Sequence, residues 1–186
     1  MRTLGTALTA VALVGGLAAC GNSEQASAGS PAGPTIGTSS TAAATSTSAL
    51  PACTADDIKV DGAAGSKPTI TVPDTCSPPK ALLSKDLVPG SGKEVVAGST
   101  VDTHYDLVTW SDKKELDSSW SRGETFPLEN VGQAAVIEGW NEGVVGMKQG
   151  GRRLLVIPPD KGYGKGGNGI APNETLVFVV DAVTVR

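Results

Sequence analysis

The stretch VIEGWNEGVVGM, residues 136–147, carries its large apolar side chains at the spacing of an α-helix. These side chains recur at intervals of three or four residues and so share one helical face: Ile137, Trp140, Val144 and Met147. Gly139 and Gly143 are four residues apart and leave a second face without side chains, so another surface can approach the backbone. A helix this short and glycine-rich is not stable alone. We therefore expect it to lie on a sheet built from the strand-like segments on both sides.

The composition indicates one compact domain joined to a long stretch of chain that is not packed. The 186 residues are 39% hydrophobic, 18% charged and 4% aromatic, and they include 24 glycines. The formal net charge of -4 gives no sign of a basic surface for nucleic acid. A single histidine and three cysteines cannot form the usual zinc-site spacings. We expect no metal and no other cofactor.

The N-terminus has the pattern of an export signal. The apolar run over residues 4–19 is shorter than the roughly 20 residues of a membrane-spanning helix, which is typical of a secretory signal peptide, residues 1–19. The run ends in LAAC, residues 17–20, which resembles the bacterial lipobox, and the Cys20 thiol would then carry the lipid. An ordinary cleavable signal with an incidental cysteine is the alternative.

Residues 20–50 contain Ser, Thr, Ala, Gly and Pro with almost no large apolar side chain. Such a segment cannot bury enough surface to offset the entropy of ordering, so it is predicted to be a lipid-anchored, disordered tether. Together with the signal, it predicts an extracytoplasmic protein held at the cell membrane through Cys20.

Cys53 and Cys76 bracket a third segment, residues 51–78. Two β-patterned runs there, around residues 58–60 and 69–72, flank a turn at Asp61 and Gly62, which predicts a short hairpin or flap. In an exported protein the two cysteines that remain after Cys20 favour a disulfide. A redox or metal-binding role is the alternative, although neither a Cys-x-x-Cys spacing nor a nearby histidine supports it.

Residues 79–186 show the pattern of an antiparallel sheet with one helix. Apolar residues alternate with polar ones from Val101 to Val108, and residues 152–157 and 175–185 form further strands. Along the last strand one face carries Leu176, Phe178, Val180 and Ala182. The order of strands, one helix and more strands predicts an α+β fold rather than a βαβ layer.

Several short motifs in this domain occur in order and at characteristic spacing. They are HY at 104–105, LDSS at 116–119, FPL at 126–128, VIEGW at 136–140, GVVGM at 143–147, GRR at 151–153, IPP at 157–159, YG at 163–164 and APNETLVF at 171–178. Residues 79–186 thereby resemble the FKBP-type immunophilins, which are peptidyl-prolyl cis/trans isomerases. With its lipobox and tether, the whole chain resembles exported lipoprotein members of that family from high-GC Gram-positive bacteria. The resemblance implies a twisted antiparallel sheet of five or six strands wrapped around one short helix, with a hydrophobic pocket between them.

The resemblance also implies a set of site residues. Those expected to act in catalysis are Tyr105, Asp117, Ile137, Trp140, Tyr163 and Phe178. Those expected to contact substrate are Leu116, Phe126, Val136 and Ile170. Trp140 would be the floor on which a proline ring rests, while the Ile137 N–H and the Tyr163 hydroxyl would hold substrate carbonyls. Taken alone, Trp140 and Phe178 would be read as ordinary core residues.

Three positions depart from the family pattern and put sequence preference and inhibitor affinity in question. Leu116 stands where many members have phenylalanine, and Glu124 falls where they have a second loop aromatic. The glycine-rich loop between Tyr163 and Ile170 is a residue shorter than in some members, and Asn168 stands where those members have a histidine.

The chemistry expected of this pocket needs neither a nucleophile nor a proton relay. An X-Pro bond rotates slowly because the amide's partial double bond raises a barrier of about 20 kcal/mol. A planar amide is more dipolar than a twisted one, so a dry aromatic pocket favours the transition state. We assign no general acid or base, and we expect Asp117 to orient Tyr105 or a nearby arginine.

Three functions are compatible with the sequence. The first is an isomerase that assists the folding of exported proteins, with proline-containing polypeptides as partners and macrolides as inhibitors. The second is a proline-binding chaperone or adaptor with little turnover, which Leu116 and Glu124 would favour. The third is a small-molecule-binding surface lipoprotein. The chain has no heptads, so a monomer is expected, and no nucleic-acid partner is expected.

Overall fold

The computed structural model describes residues 50–186. The predicted signal peptide, the lipidation site Cys20 and the tether up to residue 49 lie outside the described residues. No helix among the described residues is long and apolar enough to span a membrane. The elements in chain order are β1 (Lys59–Asp61), β2 (Thr69–Thr71), β3 (Leu83–Val88), β4 (Val101–Thr109), β5 (Glu115–Ser118), α1 (Ser119–Arg122), β6 (Phe126–Leu128), α2 (Glu138–Gly143), β7 (Arg152–Ile157), a 3₁₀ turn (Pro159–Lys161) and β8 (Leu176–Val185).

A six-stranded antiparallel sheet organises the domain. Its strand order is β3-β7-β8-β4-β5, and the short β6 pairs with the start of β4. The central strands β7 and β8 are rich in Val, Leu and Ile, and β7 is buried along its whole length. The predicted α+β fold, an antiparallel sheet around a short helix, is confirmed.

The face of the sheet that carries Leu155 and Ile157, here called the concave face, packs against α2 through the two helical glycines. A Cβ atom placed on Gly139 would lie 2.4 Å from Cγ2 of Ile157, and one on Gly143 would lie 2.7 Å from Cδ2 of Leu155. Both distances are shorter than real Cβ contacts, so only glycine permits this close approach. The core on this face includes the predicted residues of the last strand, Leu176, Phe178, Val180 and Ala182.

The helix is shorter than the sequence pattern predicts. It ends at Gly143, Val144 is its C-cap, and Gly146 has a left-handed φ of 78°. Val144 and Met147 are nevertheless buried in the same core, at 1% and 2% exposure. The apolar spacing therefore predicted correctly which residues are buried. The glycines nevertheless end the helix after less than two turns.

The cysteine-bracketed segment covers the convex face of the sheet. Its hairpin pairs β1 with β2 as predicted, and the predicted disulfide joins Cys53 to Cys76 with Cα atoms 5.1 Å apart. A second apolar cluster lies beneath it, formed by residues of the segment and of the sheet: Cys53, Ile58, Val72, Cys76, Val108, Trp110, Leu154, Val156, Val177 and Val179. The central strands are thus buried on both faces.

An ion pair under the hairpin joins the segment to the sheet. Arg152, which is 1% exposed, donates to the Asp181 carboxylate from Nε at 2.6 Å and from Nη2 at 2.9 Å. The hairpin supplies the remaining partners, because the Gly62 and Ser66 carbonyls accept from the guanidinium and the Gly65 N–H donates to Asp181. A buried pair of charges needs such complete hydrogen bonding.

Candidate active site

A cavity of about 240 Å³ opens between α2 and the concave face of the sheet. It is lined by Tyr105, Leu107, Asp117, Phe126, Ala135, Val136, Ile137, Trp140, Tyr163 and Phe178. Strands β4, β5, β6 and β8 supply its walls, while α2 and the segment before it supply Trp140 and its neighbours. The cavity is therefore a small, mostly apolar pocket with a few polar groups.

Four aromatic rings give the pocket its shape. Trp140 is the most deeply buried of them, at 4% exposure. Its ring centroid lies 5.4 Å from that of Tyr105, 5.4 Å from that of Phe178 and 5.9 Å from that of Phe126, each nearly perpendicular to the indole. Perpendicular aromatic contacts are favourable and fix the rings relative to one another. The indole therefore borders a preformed apolar space suited to a flat, apolar ring.

Two hydrogen-bond donors near this space have no acceptor within residues 50–186. One is the backbone N–H of Ile137, which is the N-cap of α2 and lines the cavity. The other is the hydroxyl of Tyr163, which stands on the loop after the 3₁₀ turn and lines the cavity. Polar groups at a pocket normally find partners, so both donors are available to ligand carbonyls.

Asp117 is the one carboxylate that lines the pocket, and its oxygens are already engaged. The Tyr105 hydroxyl donates to Oδ2 of Asp117, 2.5 Å away, and the Arg122 guanidinium pairs with Oδ1. Arg122 also donates to the Tyr105 hydroxyl at 2.9 Å and lies over the Tyr105 ring. Burial and the bond to Asp117 raise the pKa of Tyr105 above its ordinary value of 10.0. Asp117 and Arg122 therefore hold the Tyr105 ring in place, with the Tyr105 hydroxyl protonated and donating to Asp117.

The cavity brings together most of the predicted site residues. All six expected catalytic residues line it, and so do Phe126 and Val136. Leu116 does not line it: this residue stands unpaired at an irregularity in the β4–β5 register, and its side chain, 40% exposed, lies at a neighbouring depression. Ile170 does not line the cavity either, because it closes the turn with Gly167 and packs into the concave core.

Sequence reasoning missed three residues of the site. Leu107 lies two residues beyond Tyr105 on β4 and shares its face, so strand alternation could have found it. Ala135 precedes the predicted pocket residue Val136 and carries no signal of its own. Arg122 lies in α1, a single turn that is too short to give a helical pattern.

Comparisons with known proteins agree with this fold and pocket. The family model described as FKBP-type peptidyl-prolyl cis-trans isomerase matches residues 92–183. An FK506-binding protein of Streptomyces anulatus is 46% identical over 122 residues, covering 64% of this chain and 97% of that protein. A probable FK506-binding protein of Corynebacterium glutamicum is 42% identical over 121 residues, covering 63% and 98%. The crystal structure of AtFKBP13 has a TM-score of 0.53 at 31% identity, covering 58% of this chain and 95% of that one.

The fold and the pocket thus define a prolyl isomerase domain. The chain belongs to the family of FKBP-type peptidyl-prolyl cis-trans isomerases.

Proposed function

We propose that this isomerase is anchored by a lipid on Cys20 at the outer face of the cytoplasmic membrane and assists the folding of exported proteins there. The observation that carries the catalytic part of the proposal is the aromatic pocket: a buried indole bordered by three perpendicular rings, with two unengaged donors nearby. The lipobox-like LAAC sequence and the disulfide support the location, because disulfides persist in oxidising compartments.

The pocket would accelerate rotation by suiting the twisted amide better than the planar one. A prolyl ring packed against Trp140 between Tyr105 and Phe178 is removed from water, so the more dipolar planar amide loses more solvation than the twisted amide does. The Ile137 N–H and the Tyr163 hydroxyl would hold carbonyls on either side of the rotating bond. Each 1.4 kcal/mol or so of such a difference gives about a tenfold higher rate.

No lining residue has to transfer a proton in this mechanism. Asp117 accepts hydrogen bonds from Tyr105 and Arg122, so its role is to position the tyrosine ring. Tyr105 retains its proton at neutral pH, because its ordinary pKa of 10.0 is already high and burial raises it further. Rotation about the bond requires only that these groups stay where they are.

The adaptor alternative loses the features that favoured it. Neither Leu116 nor Glu124 lines the cavity, and both are exposed. The rings of Tyr105, Phe126 and Phe178 still surround Trp140. Macrolide binding, which the names of the two FK506-binding relatives indicate for those proteins, is proposed for this pocket as well.

A protease-coupled assay on a prolyl tetrapeptide tests the catalytic role. We expect Trp140→Leu to lower kcat/KM by about tenfold or more, and Tyr163→Phe, which removes one hydrogen bond, by about two- to tenfold. Lys59→Glu, an exposed change on the hairpin, is the control and is expected to leave the rate unchanged. A wild-type rate equal to the uncatalysed rate, or a Trp140→Leu enzyme as active as wild type, would contradict the assignment.

Metabolic labelling with a radioactive fatty acid tests the anchor. The full-length chain is expected to incorporate label and to sediment with membranes, whereas a Cys20→Ser chain is expected in the soluble exported fraction without label. Several acyl chains, each buried CH₂ adding about 0.8 kcal/mol, account for this difference. Unlabelled wild-type protein in the soluble fraction would show that the signal is an ordinary cleavable one.

A further inference from the structure

A second concavity, of about 860 Å³, lies where the Cys-bracketed segment meets the loop that carries Tyr163. Five prolines contribute to its lining: Pro78, Pro79, Pro158, Pro159 and Pro172. We call it the proline-lined groove. Proline side chains are apolar, and the ring fixes the backbone φ, so such a wall is preformed and loses little entropy when it binds a ligand.

The loop that borders the groove also borders the active-site pocket. Tyr163 lines the pocket, while the next residues, Gly164 and Lys165, line the groove. Two backbone hydrogen bonds of 2.8 Å hold this loop in place, from the Gly164 N–H to the Pro159 carbonyl and from the Asn173 N–H to the Gly164 carbonyl. Consecutive residues of one hydrogen-bonded loop therefore line the pocket and the groove.

The charges around the groove indicate what it would bind. Lys80 and Lys165 line it, both are exposed, and neither forms an ion pair with another of the residues 50–186. Asp160 is the single carboxylate of the lining. The groove is therefore apolar with a net positive edge, on a chain whose formal net charge is -4. Apolar residues flanked by Asp or Glu would complement it.

We infer that the proline-lined groove is a second contact site for the polypeptide substrate and takes an extended, apolar segment with flanking acidic residues. The inference rests on the proposed function of the pocket, since the segment belongs to the chain whose proline occupies it. When one site is filled, the other binds intramolecularly at a raised effective concentration. Extended substrates should therefore have a lower KM with little change in kcat, and this lowering should diminish as the salt concentration rises.

The test compares isomerisation of a prolyl tetrapeptide with that of the same unit extended, on either side, by a Leu-Glu-Leu-Asp segment. Exchange spectroscopy by NMR avoids a protease. With wild-type enzyme we expect kcat/KM to rise by about tenfold on extension, and to rise much less when Lys replaces Glu and Asp in the peptide. In Lys80→Glu/Lys165→Glu we expect unchanged tetrapeptide turnover, no gain with the acidic peptide and a restored gain with the basic one.

Lys93→Glu/Lys148→Glu is the matched control, because these exposed lysines lie outside the groove lining and change the net charge equally. It should behave as wild type. A gain that survives Lys80→Glu/Lys165→Glu, or no gain on extension, would overturn the inference.

A direct binding arm separates the groove from the catalytic assignment. A fluorescein-labelled Leu-Glu-Leu-Asp peptide without proline should bind the wild-type chain at least about fivefold more tightly than Lys80→Glu/Lys165→Glu, whatever the isomerase rate. Equal affinities would contradict the groove. A wild-type chain that binds this peptide but does not turn over the tetrapeptide would instead contradict the pocket.

The chain itself passes close to the groove at Leu50. The hydroxyl of Ser77, which lines the groove, donates to the Leu50 carbonyl at 3.0 Å. If deleting residues 21–49 were needed before any peptide bound, the groove would be occupied by this chain itself and the inference would be wrong.

Discussion

Two buried aspartates on the convex face of the sheet illustrate how different environments act on the same residue type. Asp181 is fully paired with Arg152, whereas one carboxylate oxygen of Asp106 has no partner within residues 50–186. Burial raises the pKa of Asp106 above its ordinary value of 3.8. Asp106, at 2% exposure, is thus buried without full compensation.

We predict that Asp106→Asn stabilises the protein at neutral pH. A carboxyl group whose pKa is raised on folding holds its proton more tightly in the folded state, so its favourable contribution is present at acidic pH and is lost as the pH rises through the raised pKa. A neutral amide avoids that loss. Thermal unfolding should give a higher Tm for the variant at neutral pH, and the difference should shrink as the pH falls toward 3.8.

Asp181→Asn provides the comparison and should have the opposite effect. It leaves the Arg152 guanidinium buried without a counter-charge, which costs about 3–5 kcal/mol of unfolding free energy. Destabilisation by both variants to the same extent would mean that Asp106 is compensated by a partner that the hydrogen-bond geometry does not identify.

At the residue scale, the sequence revealed the pocket residues that belong to motifs and missed those that depend on tertiary placement. Trp140 and Tyr163 stand in recognisable motifs, and both line the cavity. Leu116 stands in a motif too, yet it is the unpaired residue at an irregularity in the β4–β5 register and lines a neighbouring depression. Arg122 reaches Tyr105 only because α1 folds back toward β4, which no short-range pattern could indicate.

Among the elements, α2 depends on its glycines for its distance from the sheet. In an ordinary exposed helix Gly→Ala stabilises by roughly 0.5–1 kcal/mol. We predict the opposite sign for Gly139→Ala, a destabilisation of about 1–3 kcal/mol, because the new Cβ would clash with the Ile157 side chain. Chemical denaturation of the single variant and of Gly139→Ala/Ile157→Ala measures this cost. If it is the same in both backgrounds, the clash is not its cause.

The disulfide-bracketed hairpin is the second element with a measurable contribution. Cys53→Ser/Cys76→Ser opens a loop with a sequence separation of 23 and should lower the unfolding free energy by about 3 kcal/mol. Because the segment covers the face opposite the pocket, tetrapeptide turnover should persist wherever the variant is folded. Dithiothreitol should destabilise the wild-type chain similarly and leave the double variant unchanged. Loss of turnover in a folded variant would instead connect the hairpin to the pocket.

At this scale the sequence predicted which segments form strands better than where the helix ends. The predicted strands at residues 101–108, 152–157 and 175–185 agree with β4, β7 and β8 nearly to the residue, because these strands are largely buried and rich in apolar residues. The helix was predicted over residues 136–147 but spans only Glu138–Gly143. Buried side chains can keep helical spacing in a segment that is not helical but packs on the same core. Met147 is an example, because it is buried although α2 ends at Gly143.

For the whole molecule, the sheet separates two tasks. Its concave face holds α2 and the aromatic pocket, whereas its convex face holds the disulfide-bracketed segment and the Arg152–Asp181 pair. The second face gives the domain an additional buried layer, and none of the residues of that layer lines the pocket. Changes on the convex face are therefore expected to alter stability more than turnover.

The central claim is that the pocket accelerates bond rotation through its shape and dryness, without proton transfer. The most direct test is the pH dependence of kcat/KM on a prolyl tetrapeptide, measured for the wild-type enzyme and for Asp117→Asn. We predict a flat profile for both between roughly pH 6 and pH 9, since no essential group has to change protonation. The variant should be a few-fold slower throughout, because an amide keeps only one of the two oxygens that accept from Tyr105 and Arg122. A bell-shaped or sloping wild-type profile that becomes flat in Asp117→Asn would identify the carboxylate as an acid or base and contradict the claim.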